Sequence, residues 1–339
     1  MDKLLKVKNL KTYFILKNEI VKAVDGVSFD IYEKETFGLV GESGSGKSQT
    51  ARSILRLVKK PGKILNGEIL YKGKDIVKMN KEQVRGIRGK EISIIFQEPM
   101  TSLDPVLKIK NQIFESFDRT SMSKQEKIDR SIELLKLVGI PSPKDRIEEY
   151  AHQFSGGMRQ RAMIAIALAS SPSLLIADEP TTALDVTIQD QIMQLLNDLK
   201  KQLSMSMILI THDLAVIAQM CDRVAVMYAG IIVEMTDTVT LFSAPRHPYT
   251  YALMKSLPNQ NLKGEGLEPI PGVPPNLANL PSGCPFHPRC KCAEEICKAV
   301  RPELVEIKQG HLVRCHCLDK TSEFKGTINT PVGKRGISE

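Results

Sequence analysis

The sequence predicts an α/β fold with a mostly parallel sheet covered by helices on both faces, and three observations predict it. Short apolar segments that fit strands alternate with segments that fit helices along much of the chain. A glycine-rich phosphate-binding motif lies between one such strand and the next helix. A later apolar strand ends in two acidic residues. Together these features predict a nucleotide-binding enzyme core.

Length and composition limit the alternatives. The chain has 339 residues, of which 42% are hydrophobic, so one large domain with an appendage or two domains are expected and wholesale disorder is excluded. The longest apolar run, residues 162–169, is far shorter than the roughly 20 residues of a membrane-spanning helix. The N-terminus lacks the apolar core of a signal peptide. We therefore expect a chain that neither spans a membrane nor is exported, and the net charge of +8 indicates either an anionic partner or a solvated surface.

The N-terminal part is predicted to be mainly β. Residues 1–40 predict strands, because LLKVKNL and VSFDIY alternate and TFGLV is a short apolar run. Residues 46–58 predict a helix. Residues 62–96 predict further short strands, GEILYKG and EISIIF, around a polar helical stretch.

The middle of the chain predicts a helical insert between two α/β halves. Ser123 and Glu126 have the spacing of a capping box at the start of an amphipathic helix. Its predicted buried face consists of Ile128, Ile132, Leu135 and Val138. Beyond the insert, the pattern predicts a helix over 156–169, the strand LLIAD, a helix over IQDQIMQLLNDLKKQL and the strand MSMILIT.

Residues 41–48 match the phosphate-binding pattern G-x-x-x-x-G-K-[ST]. Glycines let backbone N–H groups turn inward around phosphates, while Lys47 can reach the β- and γ-phosphates and Ser48 can ligate Mg²⁺. The start of the following helix adds the positive end of its dipole. The predicted nucleotide-binding residues here are Gly41, Ser43, Gly44, Ser45, Gly46, Lys47, Ser48 and Gln49.

The strand LLIAD ends in a predicted metal-binding and catalytic pair. Asp178 is expected beside the phosphate loop, where its carboxylate can hold Mg²⁺ through water. Glu179 follows directly and can orient or deprotonate the attacking water. The predicted chemistry is hydrolysis of a nucleoside triphosphate, which needs mainly positioning and charge neutralisation.

The segment 154–160 separates this chain from other nucleotide hydrolases that share those two motifs. Ser155 is a good N-cap, and Gly156 and Gly157 begin a helix whose N–H groups would form a second anion-binding terminus. With this segment, the chain resembles the ATP-binding subunits of ABC transporters over roughly residues 5–250. The resemblance implies a P-loop ATPase fold with a mixed sheet, an antiparallel β subdomain and a helical insert, followed here by a small cysteine-rich C-terminal module. Ser155, Gly156 and Gly157 resemble the signature motif of that family.

Further motifs follow the order of the ABC family. Gln97 resembles the Q-loop glutamine, Ala183-Leu184-Asp185 the D-loop, and His212 the switch histidine. The resemblance implies that Gln97 senses Mg²⁺ or water, that His212 contacts the γ-phosphate, and that Asp178, Ser48 and Gln97 serve the Mg²⁺ site.

The resemblance also implies ATP stacked on an aromatic ring near the start of the chain, with Phe14 favoured over Tyr13. Phe154 stands where the family usually has leucine, and we expect it to be tolerated because that position packs. In the family the signature meets the phosphate loop of a second ATPase subunit across a head-to-tail dimer, which is a self copy or a paralogue.

Two C-terminal stretches resemble the branch that imports dipeptides and oligopeptides, with nickel importers as close relatives. They are SAPRHPYTYAL and LPSGCPFHPRC, and FSGGMRQR and QEPMTSLDP are also typical of that branch. The resemblance implies an ATPase that drives peptide import, with two membrane permease subunits as partners and a peptide-binding protein acting indirectly. It further implies a peripheral location on the cytoplasmic face of the membrane and no nucleic-acid partner.

Cysteines are concentrated near the C-terminus, a pattern that indicates metal in a cytosolic protein. Six of the seven are Cys284, Cys290, Cys292, Cys297, Cys315 and Cys317. The spacing of Cys284, Cys290, Cys297 and Cys315 resembles that of branch members that carry a [4Fe–4S] cluster. Four thiolates by themselves suit iron–sulfur or zinc, and free thiols are a third alternative. Cys292 and Cys317 are surplus and leave the ligand set open.

The predicted organisation has four parts. They are an ATPase domain over 1–255 with its helical insert at about 98–160, a proline-rich connector over 256–283, a cysteine-rich iron–sulfur module over 284–318, and a mobile tail over 319–339. Three rival functions remain: the ATPase of a nickel importer, a soluble ABC ATPase that acts on ribosomes or DNA, and an iron–sulfur or zinc regulatory protein whose ATPase is a switch.

Overall fold

The computed structural model describes residues 2–97, 102–117, 121–182, 184–256, 269–324 and 326. Its backbone contacts divide the chain into two compact units. The sheet unit comprises residues 2–31, 36–77 and the described chain from 211 onward. The helical unit comprises residues 32–35 and 78–210.

The sheet unit begins with an antiparallel sheet, as predicted for the N-terminal part. Its strands, in the spatial order β2-β1-β4-β5, are β1 (Lys3–Ile15), β2 (Ile20–Tyr32), β4 (Gly62–Tyr71) and β5 (Lys74–Asp75). Strand β1 alternates buried and more exposed side chains, so Val7 faces the core opposite Ile69 of β4. This alternation is the pattern by which the sequence predicts the strands.

A second set of strands in the sheet unit is mixed in direction. In the spatial order β11-β12-β10-β9-β3, they are β3 (Thr36–Val40), β9 (Arg223–Tyr228), β10 (Ile231–Asp237), β11 (Val305–Lys308) and β12 (His311–Val313). Strands β3 and β9 are parallel, whereas β9, β10, β12 and β11 pair antiparallel. The hairpin of β11 and β12 therefore joins the cysteine-bearing segment to the sheet that also holds β3.

The helices of the sheet unit are short. They are α1 (Lys47–Ile54), α8 (Leu214–Met220), α9 (Thr238–Ser243), α10 (Pro248–Lys255) and α11 (Glu295–Ala299). Helix α1 ends before the predicted residue 58, because Arg56 takes a left-handed φ of 51° and Leu57 N–H donates back to Arg52 O at 2.7 Å. This is a Schellman ending with arginine where glycine is usual, and sequence periodicity did not reveal it.

The helical unit holds three parallel strands, β6 (Ile92–Ile95), β7 (Leu174–Asp178) and β8 (Ser206–Thr211), in the order β6-β7-β8. Every residue of β7 and β8 is buried, as expected for strands of a parallel sheet with both faces covered. The β7 strand thus delivers Asp178 and Glu179 to its carboxyl end.

The described helices of this unit are α2 (Lys81–Ile87), α3 (Ile109–Glu115), α4 (Lys124–Leu137), α5 (Pro143–Arg146), α6 (Gly156–Leu168) and α7 (Val186–Gln202). Of these, α3, α4 and α5 lie within residues 98–160, where the sequence predicts a helical insert. The capping box is confirmed, since Glu126 N–H donates to Ser123 Oγ at 3.3 Å and Ser123 N–H donates to Glu126 Oε2 at 2.7 Å. The predicted buried face of α4 is partly wrong, because Ile128 and Ile132 are only half-buried and Leu134 is buried instead.

The described ranges contain no helix that combines the length and apolarity needed to cross a membrane. Residues 269–286 form turns and irregular chain, as the proline content predicts. The remaining connector residues 257–268 and the tail residues 327–339 lie outside the described residues.

Candidate functional site

The phosphate-binding loop of residues 41–48 lies between β3 and α1 in the sheet unit. Gly46 has φ of 104°, and a Cβ placed there would lie 2.3 Å from Ala23 O. A Cβ on Gly41 would lie 2.1 Å from Met227 O. Both contacts are far below van der Waals distance, so the sequence needs glycine at these two positions for the loop to close.

The loop is organised to receive an anion. Lys47 is 5% exposed, and its Nζ donates to Gly41 O at 2.8 Å and Glu42 O at 3.0 Å. Ser45 is 4% exposed, and its Oγ has no hydrogen-bond partner in the described part of the chain. A buried hydroxyl without a partner is costly unless a ligand supplies one. Ser48 and Gln49 lie half-buried in the first turn of α1, where a phosphate would meet the helix N-terminus.

The two candidate adenine-stacking residues, Tyr13 and Phe14, are consecutive on β1. Tyr13 Oη donates to Asp25 Oδ1 at 2.6 Å, and Arg301 Nη1 donates to Asp25 Oδ2 at 2.7 Å. Burial alone would raise the pKa of Asp25, but the hydrogen bonds from Tyr13 and Arg301 lower it overall. Phe14 packs its ring edge against the backbone at Gly62. The Tyr13 hydroxyl is therefore hydrogen-bonded within the protein, whereas the Phe14 ring makes an apolar contact.

In the helical unit, Gln97 and Glu179 lie together although 82 residues separate them. Gln97 Nε2 donates to Glu179 Oε2 at 2.8 Å, and Thr182 Oγ1 donates to the same oxygen at 2.9 Å. Glu179 has a left-handed φ of 47°, which is uncommon for glutamate and typical of functional positions. The adjacent Asp178 is 1% exposed at the end of β7. One amide and one hydroxyl thus orient the predicted catalytic carboxylate.

The signature segment is placed as predicted at the start of α6. Ser155 is the N-cap, and its Oγ accepts from Met158 N–H at 3.3 Å. Gly157 would bring a Cβ within 3.1 Å of Ile188, so a larger residue would push on α7. Phe154 is 2% exposed, which agrees with the expectation that this position packs.

The D-loop and switch positions each lie at the start of a helix. Asp185 is the N-cap of α7 and accepts from Ile188 N–H at 3.0 Å, whereas Ala183 lies outside the described residues. His212 follows β8 directly and is exposed, and Asp213 after it caps α8. The run QEPMTSLDP lies partly outside the described residues, since 98–101 are not described.

Four predicted metal-ligand cysteines line one pocket in the sheet unit. Its lining residues include Cys284, Cys290, Cys297, Cys315 and Cys317. Cys292 is not among the described residues that line it. Cys297 Sγ and Cys317 Sγ are 3.8 Å apart, too far for the roughly 2.05 Å bond of a disulfide. The structure therefore brings the four predicted thiols together and adds Cys317.

Three thiols of this pocket lose their protons less readily than an exposed cysteine. Burial raises the pKa of the Cys290 and Cys315 thiols to about 12 and also raises the pKa of Cys284. Within the described chain, no group of three or more potential ligands has the geometry to hold a single metal ion. Neutral thiols must lose protons before they bind a cation.

Sequence reasoning missed the residues that connect the cysteine segment to the nucleotide motifs. Arg289 forms an ion pair with Glu42 of the phosphate loop, and Arg301 forms one with Asp25. Tyr249 also contacts Glu42 through its hydroxyl. Sequence spacing offered no signal for these pairs, although Arg289 lies directly before Cys290.

Two family models match the chain. The model described as ABC transporter matches residues 24–182. The model described as oligopeptide/dipeptide transporter, C-terminal region, matches residues 233–297.

Several bacterial proteins are similar to the chain over nearly its whole length. The dipeptide transport ATP-binding protein DppD of Bacillus subtilis is 48% identical over 325 residues, covering 95% of this chain and 97% of that protein. The oligopeptide transport ATP-binding protein OppD of Bacillus subtilis is 49% identical, covering 93% of this chain and 88% of that protein. The protein of the same name from Escherichia coli is 46% identical, covering 93% of this chain and 93% of that protein.

Solved structures are also similar. A dimeric structure of MJ0796, a bacterial ABC transporter cassette, has a TM-score of 0.62 and 30% identity, covering 69% of this chain and 98% of that chain. A dimeric post-hydrolysis structure of the MJ0796 cassette with ADP and Pi has the same TM-score, identity and coverage.

Proposed function

The chain belongs to the ABC transporter ATP-binding subunits of the dipeptide and oligopeptide importer type, and we propose that its ATP hydrolysis drives peptide import through membrane permease subunits. It is an ATPase of the ABC family. The observation that carries the peptide assignment is the match of residues 233–297 to the C-terminal region of oligopeptide/dipeptide transporters. The predicted division into 1–255, 256–283, 284–318 and 319–339 is kept as part of this proposal.

In the proposed mechanism the phosphate loop holds the triphosphate. Lys47 exchanges its present contacts with Gly41 O and Glu42 O for phosphate oxygens, and the N–H groups of the first turn of α1 supply further donors. Ser45 Oγ gains the partner that it lacks. Ser48, Asp178 and Gln97 would hold Mg²⁺, which neutralises charge on the phosphates when bound.

Glu179 acts as the general base toward the attacking water. Gln97 and Thr182 orient this carboxylate through their hydrogen bonds to Oε2. His212 would hydrogen-bond the γ-phosphate. Because Gln97 contacts the base directly, a displacement of Gln97 would change the position of the carboxylate.

The signature residues are proposed to act in trans on a second ATPase subunit. Ser155, Gly156 and Gly157 form a helix N-terminus whose N–H groups suit an anion. Asp185 belongs to the D-loop that follows. For adenine stacking we retain Phe14, because Tyr13 is bound through its hydroxyl to Asp25. The second subunit is either a copy of this chain or a paralogue.

We propose that Cys284, Cys290, Cys297 and Cys315 hold a [4Fe–4S] cluster. Four soft thiol donors on one pocket suit iron–sulfur chemistry. Cys317 is the rival ligand because it lines the same pocket.

Replacing Cys284 with serine is expected to remove the cluster, because one of its four thiolates is lost. Iron and acid-labile sulfide are measured after anaerobic purification. Cys292→Ser is the matched control and should keep both. Zinc without iron in the wild-type protein would refute the cluster, and iron retained in Cys297→Ser but lost in Cys317→Ser would replace Cys297 by Cys317.

The partners are tested by purification from membranes. Affinity capture of the full chain after mild detergent extraction, followed by mass spectrometry, should recover two membrane-embedded permease chains and a second ATPase subunit. Recovery of ribosomal proteins or DNA-associated proteins in place of permeases would support the rival class. Recovery of permeases would also support the proposed peripheral location at the cytoplasmic face of the membrane.

A further inference from the structure

The second residue of the phosphate loop, Glu42, is held by a bidentate ion pair from the C-terminal segment. Arg289 Nη1 donates to Glu42 Oε2 at 2.7 Å, and Nη2 donates to Oε1 at 3.0 Å. The Arg289 side chain is 5% exposed and that of Glu42 is 23% exposed. Two parallel hydrogen bonds of this kind fix both the position and the orientation of a carboxylate.

Arg289 is itself held in one orientation. Its Nε donates to Pro271 O at 2.8 Å, and Nη1 also approaches Tyr228 Oη at 3.3 Å. The guanidinium lies 5.8 Å and 6.0 Å from the ring centres of Tyr228 and Phe286. The bonds to Glu42 raise the pKa of Arg289 still further, so the cation persists. Lysine could not reproduce this planar fork.

The backbone of Glu42 is held from the same side. Its N–H donates to Tyr249 Oη at 2.8 Å. Tyr249 is fully buried and packs its ring against Tyr228 and Phe286, with ring centres 4.6 and 5.3 Å away. Phe286 and Arg289 lie between the cysteines Cys284 and Cys290. The cysteine segment therefore contacts the Glu42 side chain directly through Arg289, and it reaches the Glu42 main chain only through Tyr249, against which Phe286 packs.

The charge of Glu42 is unfavourable for the function of its loop. A carboxylate on a loop that binds a triphosphate repels the ligand unless a cation neutralises it. Because Lys47 is needed at the phosphates, the neutralising cation must come from elsewhere, and Arg289 is the cation that contacts Glu42 directly.

We propose that Arg289 is a positioning residue of the ATP site, which neutralises Glu42 and keeps its carboxylate turned away from the phosphates. This inference rests on the proposed function of residues 41–48 as the ATP-binding loop. It makes the segment around the cysteines a structural part of nucleotide binding. Disruption of that segment would then weaken ATP binding through Arg289.

A double-mutant cycle on the full chain tests the proposal, with equilibrium binding of labelled ATP as the readout. Arg289→Met should weaken ATP binding by about tenfold, because a partly buried carboxylate is left unpaired beside the phosphates. Adding Glu42→Gln to Arg289→Met should restore affinity to within about threefold of wild type. Lys298→Met, which breaks the exposed ion pair with Glu295 on the same segment, should leave affinity unchanged.

A merely structural role predicts a different pattern. If Arg289 only stabilised the cysteine segment, Glu42→Gln would not restore ATP binding, and that result would overturn the proposal, as would unchanged affinity in Arg289→Met. If Arg289→Met does not fold, Arg289→Gln, which also removes the charge but stays polar, takes its place in the cycle and must show the same rescue. Wild-type protein that fails to bind ATP would instead overturn the proposed function. Lys47→Ala shows whether the measured binding occurs at the phosphate loop, because unchanged binding in that variant would count against the proposed function and not against the role of Arg289.

Discussion

Glu179→Gln is expected to keep ATP bound while kcat for hydrolysis falls by roughly 10²- to 10⁴-fold, the usual contribution of a general base. The amide has the size of the carboxylate and can still accept from Gln97 Nε2 or Thr182 Oγ1 through its oxygen. It cannot accept a proton from water at neutral pH. Steady-state phosphate release and ATP binding, measured on the same preparation, give the two quantities separately.

The matched control for this variant is Glu33→Gln. Glu33 is an exposed glutamate in the helical unit, so its replacement should change neither kcat nor ATP affinity. Turnover within a factor of two of wild type in Glu179→Gln would remove Glu179 from the catalytic role. Loss of ATP binding together with turnover would show that the carboxylate supports the nucleotide site and does not act as a base.

Lys47→Ala is expected to weaken ATP binding by roughly 10- to 100-fold, because charge-assisted hydrogen bonds to phosphate contribute about 1.5–3 kcal/mol. The loop should survive the change, since its shape depends on the glycines at positions 41 and 46. Lys47 Nζ donates to the carbonyl oxygens of Gly41 and Glu42, and these carbonyls can turn to water when the ammonium is removed. Titration with labelled ATP measures the affinity, and circular dichroism checks the fold.

Lys59→Ala provides the comparison for charge alone. Lys59 is exposed shortly after the end of α1, so its loss lowers the net charge of the protein by the same amount as the loss of Lys47. ATP affinity should remain within about twofold of wild type, because solvent screens an exposed lysine. Equal weakening in the two variants would mean that general charge, and not the loop lysine, attracts the nucleotide.

Local features of the fold were predictable because neighbouring residues determine them. The capping box at Ser123 and the N-cap at Ser155 both depend on contacts within four residues. The end of α1 was mispredicted, because a left-handed Arg56 is energetically uncommon and leaves no trace in hydrophobic periodicity. The exposure of Ile128 depends on which helices pack on α4, which periodicity alone does not determine.

The candidate site likewise combines residues that the sequence motifs predict with contacts that they do not. The motifs name Lys47 and Glu179 as single residues, since each lies within a contiguous pattern. The contacts that orient them come from far along the chain: Gln97 to Glu179 spans 82 residues, and Arg289 to Glu42 spans 247. Such pairs depend on the tertiary fold, so a single sequence without homologues carries no signal for them.

The most direct test of the central claim is ATP hydrolysis by the complete transporter in sealed membrane vesicles, with peptide and its binding protein supplied on the external side. We predict that ATP hydrolysis and accumulation of labelled peptide inside the vesicles both rise when peptide is added, and that both are lost in Glu179→Gln. A hydrolysis rate that is the same with and without peptide and binding protein, together with no peptide accumulation, would contradict the claim that this chain powers peptide import.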